Sequence, residues 1–194
     1  MQQVSVFNLP WNAIMIRFRL STLTLGLTLL ACQLPAAALD SFSTEVGTGT
    51  KTQMLRLGLQ SNWQQKWFES NGTQLSGYWD FNLAYWRVNA YRNVKGQTRS
   101  LATIGVTPVF RFENSNKLGW YAEGGIGANY LSDLYDNNDF KLSTHFQFGD
   151  HIGTGYVFNN KLDVGVKIQH YSNGGYKKPN TGVNFVVLKA SYAF

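Results

Sequence analysis

The chain has 194 residues, enough for one domain, with 15% aromatics, 19 glycines and a formal charge of +6. Its 17 Lys and Arg are scattered rather than striped, which is not the footprint of a nucleic-acid binder. One cysteine excludes an internal disulfide framework, and no stretch beyond the N-terminal segment approaches the ~18 apolar residues of a helical membrane span.

Arg17 and Arg19 precede an apolar run over 20–32, and Pro35-Ala36-Ala37-Ala38 follows. A basic start, a short apolar run and a small-residue site predict a secretory signal peptide over 1–38, cleaved before Leu39. Met15 is an alternative start. Leu29-Leu30-Ala31-Cys32 also fits a bacterial lipoprotein box, which would retain Cys32; cleavage after Ala38 instead removes the one cysteine and all thiol chemistry. Without Arg17 and Arg19, 15 cationic side chains face 11 anionic ones, a charge of +4.

From 39 to 194, period-two segments recur between turn-like residues. Residues 41–50 form a weakly patterned first strand. In 52–63, Leu55, Leu57, Leu59 and Trp63 alternate with Arg56, Gly58, Gln60 and Asn62. In 78–89, Trp79, Phe81, Leu83 and Tyr85 oppose Asp80, Asn82 and Ala84. In 101–113, Ile104, Val106, Phe110 and Phe112 oppose Thr103, Thr107, Arg111 and Glu113. Residues 120–132 are glycine-rich, with Glu123 and Asn129 on one parity and Ile126 and Tyr130 on the other. In 145–158, Phe146, Phe148, Ile152, Tyr156 and Phe158 oppose Gln147, Gly149, His151 and Gly153. Segments 162–173 and 183–194 complete a set of eight.

The connections at 114–119 and 159–161 are short, whereas 64–77 and 133–144 are long and polar. Short turns at one end, long loops at the other, and the absence of helical periodicity predict an all-β fold: an eight-stranded antiparallel transmembrane β-barrel of the outer membrane. The large apolar members of each strand then face lipid, and Arg56, Asp80, Arg111, Glu123 and Lys167 face a polar lumen. Trp63, Trp67, Tyr78, Trp79, Trp120, Tyr121 and Tyr135 are read as interfacial girdles. Back from Phe194, alternate residues are Tyr192, Ala190, Leu188 and Val186, which resembles the last-strand signal of bacterial outer-membrane proteins. That places the C-terminus in the periplasm and loop 174–182 outside.

The chemistry concentrates in Ile168-Gln169-His170-Tyr171-Ser172-Asn173-Gly174-Gly175 and Pro179-Asn180-Thr181-Gly182-Val183-Asn184. His170 and Ser172 share the parity of Val164, Val166 and Ile168, so a base and a nucleophile stand side by side on the lipid face. A polar pair there is costly, and Ser/His is the minimal set for acyl transfer. The outer leaflet of a Gram-negative outer membrane supplies the ester: the acyl chains of lipid A. A hairpin pairing of the last two strands sets Asn173 opposite Val183 and Ser172 opposite Asn184, bringing Asn184 to the site. Asn173 and the N–H groups of Gly174 and Gly175 are oxyanion candidates. Asp150 shares the outward parity of Phe148 and Ile152, falls opposite His170 or Ile168, and is expected to orient His170 or brace the loop. His145, His151, the 124–127 glycines and the 133–139 acidic run read as ordinary barrel and loop residues, with no metal site.

These residues resemble the outer-membrane lipid A 3-O-deacylases (PagL family), with weaker similarity across the mature chain. The resemblance implies a serine hydrolase, free of cofactor or metal, that removes the 3-O-linked 3-hydroxyacyl chain of lipid A. It makes Ser172 the nucleophile, His170 the base and Asn173 an oxyanion contributor, with Asn180 in support. One position departs: the family has a glutamate where this chain has Asn184, which orients a histidine but carries no charge. Two other readings stay open: a non-catalytic structural or interaction barrel, and a phospholipase-type acyl hydrolase. The implied partners are lipopolysaccharide as substrate, the surrounding outer-membrane lipid and, as an option, a second copy in a homodimer; nucleic acid is not among them.

Overall fold

The computed structural model describes residues 38–194; the signal-peptide expectation falls almost wholly outside them. The strands are β1 (Ser41–Gly49), β2 (Thr52–Asn62), β3 (Trp67–Ser70), β4 (Thr73–Val88), β5 (Arg99–Asn114), β6 (Gly119–Leu131), β7 (Asp136–Asn137), β8 (Phe140–Lys141), β9 (Phe146–Val157), β10 (Leu162–Ser172) and β11 (Val183–Ala193). Eight of them close antiparallel in the order β1-β2-β4-β5-β6-β9-β10-β11, and β11 pairs back on β1 from Ser41↔Ala193 to Thr48↔Val186. Closure leaves none of the eight barrel strands a free edge, a condition for backbone in lipid. An 11-residue strand such as β10, at ~3.3 Å per residue and tilted ~40°, rises about 28 Å, the height of a hydrocarbon core.

Alternation decides which way each side chain points. Along β2, Met54, Arg56 and Gln60 are buried while Leu55, Leu57 and Leu59 are exposed. On β4, β5, β9 and β10 the exposed set is likewise apolar, with Ile104, Ile152 and Ile168 each more than half exposed. The lumen takes the charges, and they pair. Arg56 donates from Nη1 to Glu45 Oε1 at 2.7 Å and from Nη2 to Asp80, and Lys167 Nζ reaches Glu45 Oε1 at 2.9 Å. Below them, Arg111 Nη2 lies 2.6 Å from Glu123 Oε2 and 3.1 Å from Asp163 Oδ2, and Lys189 Nζ lies 3.1 Å from Glu123 Oε1. Tyr78 and Tyr121 donate their hydroxyls to Glu123 at 2.9 Å and Asp163 at 2.6 Å. Buried charges are tolerated only when paired and hydrogen-bonded in this way.

The lumen turns apolar toward the end that carries the connections 89–98, 132–145 and 173–182. Trp86 packs there at 4.6 Å from Tyr171, 4.9 Å from Phe185 and 5.9 Å from Tyr135, with Met54, Leu131, Leu142, Val183 and Val187 around them. Each large side chain buried here contributes about 1.5–3 kcal/mol. Tyr171 and Phe185 are chain neighbours of His170, Ser172 and Asn184, so this cluster braces the candidate site from inside.

Three expectations need correction. Segment 64–77 is not a long polar loop: Trp67–Ser70 pairs with the start of β4 around Asn71 and Gly72, at φ 50° and 78°. Two consecutive left-handed residues make the tight hairpin turn whose twist suits its strands. This hairpin also lies at the short-turn end, since Thr73 pairs with Asn114. Finally, Tyr78, Tyr121 and Tyr135 are interior residues: Tyr135 packs in the apolar cluster on Trp86, while the rings of Tyr78 and Tyr121 lie against the Arg111 and Lys189 cations and their hydroxyls find lumen partners. Trp67, Trp79 and Trp120 do face outward.

Candidate active site

β10 and its two neighbours assemble the site. On the β11 side His170 pairs with Asn184, and on the β9 side with Asp150, while Ser172 pairs with Phe148. The outward parity expected of all four residues holds. The hairpin register does not: Asn184 lies opposite His170 rather than Ser172, and Tyr171, not Asn173, opposes Val183. A two-residue shift keeps every face and changes every partner. Its consequence is direct, because His170 Nδ1 and Asn184 Oδ1 are 2.6 Å apart. With the oxygen accepting, Nδ1 carries the hydrogen and Nε2 keeps the lone pair, the tautomer of a base.

The imidazole sits over Gly182. A Cβ built on Gly182 would come 2.5 Å from His170 Cε1, and its φ of +73° already favours glycine. Sequence reasoning missed this residue. The Pro-Asn-Thr-Gly string marks a turn, but only the folded register puts that turn against the histidine.

Beyond Ser172 the chain turns through Gly174 and Gly175, at φ 67° and 81°. The Gly174 N–H points at Ser172 Oγ, 3.4 Å away. The other two oxyanion candidates are engaged elsewhere: Gly175 donates its N–H to Asn173 Oδ1 at 3.0 Å, and Asn173, 2% exposed, donates its carboxamide to Lys177 O at 2.7 Å and Ser143 Oγ at 3.3 Å. Asn180 accepts the Asn173 N–H on its Oδ1 at 3.1 Å, so it ties the two halves of the loop.

From His170 an apolar groove of ≈ 580 Å³ crosses the outer wall. Asp150, Ile152 and Ile168 flank it near the histidine, and Ile126, Pro108 and Phe110 carry it across β6 to β5. Gly124, outward on β6, keeps it deep. Asp150 thus joins the candidate site from β9, beside the groove. His151 faces the lumen behind it, and His145 stacks on Tyr130 at 5.4 Å, so neither joins His170.

The comparisons with known proteins agree with one another. A family profile described as Lipid A 3-O-deacylase (PagL) matches residues 53–193. The Lipid A deacylase PagL of Pseudomonas aeruginosa is 32% identical over 149 residues, covering 76% of this chain and 82% of that protein. Its counterpart from Bordetella bronchiseptica is 30% identical over 154 residues, covering 78% and 82%. A crystal structure of the outer membrane enzyme PagL superposes with a TM-score of 0.68 at 30% identity, over 79% of this chain and 99% of that one. A profile spanning nearly the whole barrel, and relatives matched over most of their own length, identify this chain as an outer-membrane barrel of the lipid A 3-O-deacylase (PagL) family.

Proposed function

We propose that this protein is a serine hydrolase that removes the 3-O-linked 3-hydroxyacyl chain from lipid A in the outer leaflet. Residues 1–38 serve as its export signal, and the short turns lie in the periplasm. The loop end, with His170 and Ser172, then meets the outer leaflet. The observation that carries the reading is the 2.6 Å contact of His170 Nδ1 with Asn184, on a lipid-facing wall where a structural barrel gains nothing from polar side chains.

Ser172 Oγ attacks the ester carbonyl as its proton passes to His170 Nε2. The Gly174 N–H faces Ser172 Oγ and stabilises the developing oxyanion. Collapse expels the C3 oxygen of the glucosamine, which takes the proton back from His170. Water, activated by the same imidazole, then releases the 3-hydroxy fatty acid and restores the serine. Asn184 orients the imidazole, and Asp150, its other cross-strand neighbour, supplies the negative charge that Asn184 lacks. The groove receives the acyl chain in a space already apolar.

Mass spectrometry of lipid A tests this. Lipopolysaccharide in detergent is incubated with the refolded mature barrel and with Ser172→Ala, beside a phospholipid control. Loss of one 3-hydroxyacyl mass with the wild type alone is the expected result. Intact lipid A from both, with both barrels folded, overturns it in favour of a non-catalytic barrel. Cleavage of phospholipid instead indicates a phospholipase-type hydrolase.

A further inference from the structure

We propose that Ser143, in the connection between β6 and β9, is a positioning residue for the reaction: its hydroxyl fixes the turn that aims the Gly174 N–H at Ser172. This rests on the hydrolase reading above. Ser143 Oγ donates to Lys177 O at 2.9 Å and accepts from Asn173 Nδ2 at 3.3 Å. Asn173 Nδ2 also donates to Lys177 O at 2.7 Å, so the three groups form a closed triangle across two connections.

The Asn173 carboxamide is thereby fully used, and its Oδ1 holds the Gly175 N–H at 3.0 Å. The turn is closed again by Tyr176 N–H on Asn173 O at 3.2 Å. With Gly175 pinned on one side and β10 on the other, the Gly174 peptide has one orientation. Its N–H is then the donor that remains for an oxyanion at Ser172. Two glycines in sequence at positive φ have no side chains to hold this geometry. It must be imposed from outside, and Ser143 is where the neighbouring connection reaches in.

That connection is itself anchored, which makes it a strut. Lys141 N–H donates to Thr181 Oγ1 at 2.7 Å, and Thr181 N–H returns to Lys141 O at 3.1 Å. Leu142 is buried in the lumen cluster. At its other end Asn137, wholly buried, accepts the Ala90 N–H at 2.8 Å and donates to Thr50 O and Lys51 O at 3.2 Å each. The 132–145 connection, with Tyr135, Asn137 and Leu142 buried, therefore reaches across the barrel mouth from the β1–β2 turn to the catalytic turn.

The test compares wild type, Ser143→Ala and Ser143→Thr in detergent micelles. Kinetics are measured on lipid A, and amide exchange is followed at Gly174 and Gly175. Ser143→Ala is expected to lower kcat about tenfold with KM changed less than about twofold, the signature of a displaced transition-state donor. Exchange at Gly175 should quicken by about tenfold or more while the heat-modifiable gel shift of the folded barrel persists. Ser143→Thr, which keeps the hydroxyl, should restore both. An active wild type with Ser143→Ala unchanged in kcat and exchange overturns the positioning role alone. So does a kcat loss matched by loss of the folded gel shift, which marks a structural role. A wild type inert on lipid A overturns the hydrolase reading, and the role falls with it.

Discussion

Asn184 gives His170 an acceptor without a charge, and the difference can be sized. A hydrogen bond between neutral partners is worth ~1 kcal/mol net and one to a charged group about 2–3 kcal/mol, so a carboxylate here would stabilise the imidazolium by about 1–2 kcal/mol more. Asn184→Glu is therefore expected to raise kcat on lipid A about 5- to 30-fold. Asp150 decides where in that range the gain falls. It pairs with His170 from the opposite side, and a charge already supplied there leaves less for Glu to add. The same substitution in an Asp150→Asn background should gain more, and the two increments together form a double-mutant cycle. Equal gains in both backgrounds would remove Asp150 from the charge-supplying role. No gain in either would mean that the imidazolium is not limiting.

Strands were legible in this sequence where both faces are marked. Leu55, Leu57 and Leu59 against Arg56, or Trp79, Phe81 and Leu83 against Asp80 and Asn82, allow one reading, and the exposed and buried sets follow it. Register was not legible. Ten residues, 173–182, can close β10 onto β11 in several ways, and what selects one is tertiary: Asn180 on Asn173, Ser143 on Lys177. The two-residue error kept Asn184 on the right face and gave it the wrong partner. The Asn71-Gly72 turn was legible in principle, since Asn-Gly between extended segments is a strong hairpin signal. Tyr78 and Tyr121 were misplaced because residue type was weighed above parity. The element-scale consequence is that the lumen pairs hold neighbouring strands together. Arg56 joins β2 to Glu45 on β1 and Asp80 on β4. Arg56→Met leaves Lys167 on Glu45 but takes the ion-pair partner from Asp80. An unpaired buried carboxylate costs about 3–5 kcal/mol. Urea titration followed by the heat-modifiable gel shift should show that loss for Arg56→Met. Outward Leu57→Ala, on a surface that meets detergent either way, should move the midpoint far less. Equal effects of the two would contradict the pairing argument.

The whole molecule separates its charges by height. Within the barrel Arg56, Arg111, Lys167 and Lys189 pair with Glu45, Asp80, Glu123 and Asp163, and Glu113 accepts from Ser76, a nearly balanced set. The loop end is different: Lys51, Arg87, Arg92, Lys95, Arg99, Lys141, Lys177 and Lys178 face Asp133, Asp136 and Asp139 in the connections and Asp150 on the outer wall. Two of those aspartates are already paired, with Arg99 and Lys141. The excess of positive charge in the mature chain thus sits on the rim nearest Ser172, where the proposed substrate presents phosphates. Individually such exposed charges are worth little to stability. Collectively they raise the local concentration of an anionic lipid, and salt screens that effect over a Debye length of ~10 Å at 0.1 M. Raising the ionic strength from ~0.05 to ~0.5 M should therefore raise KM for lipopolysaccharide micelles while leaving kcat at saturation unchanged. A variant with Lys95, Lys177 and Lys178 changed to Gln should start from a higher KM and respond less to salt. If the variant keeps the wild-type salt response, the rim does not steer the substrate, and the asymmetry belongs to orienting the barrel in its membrane instead.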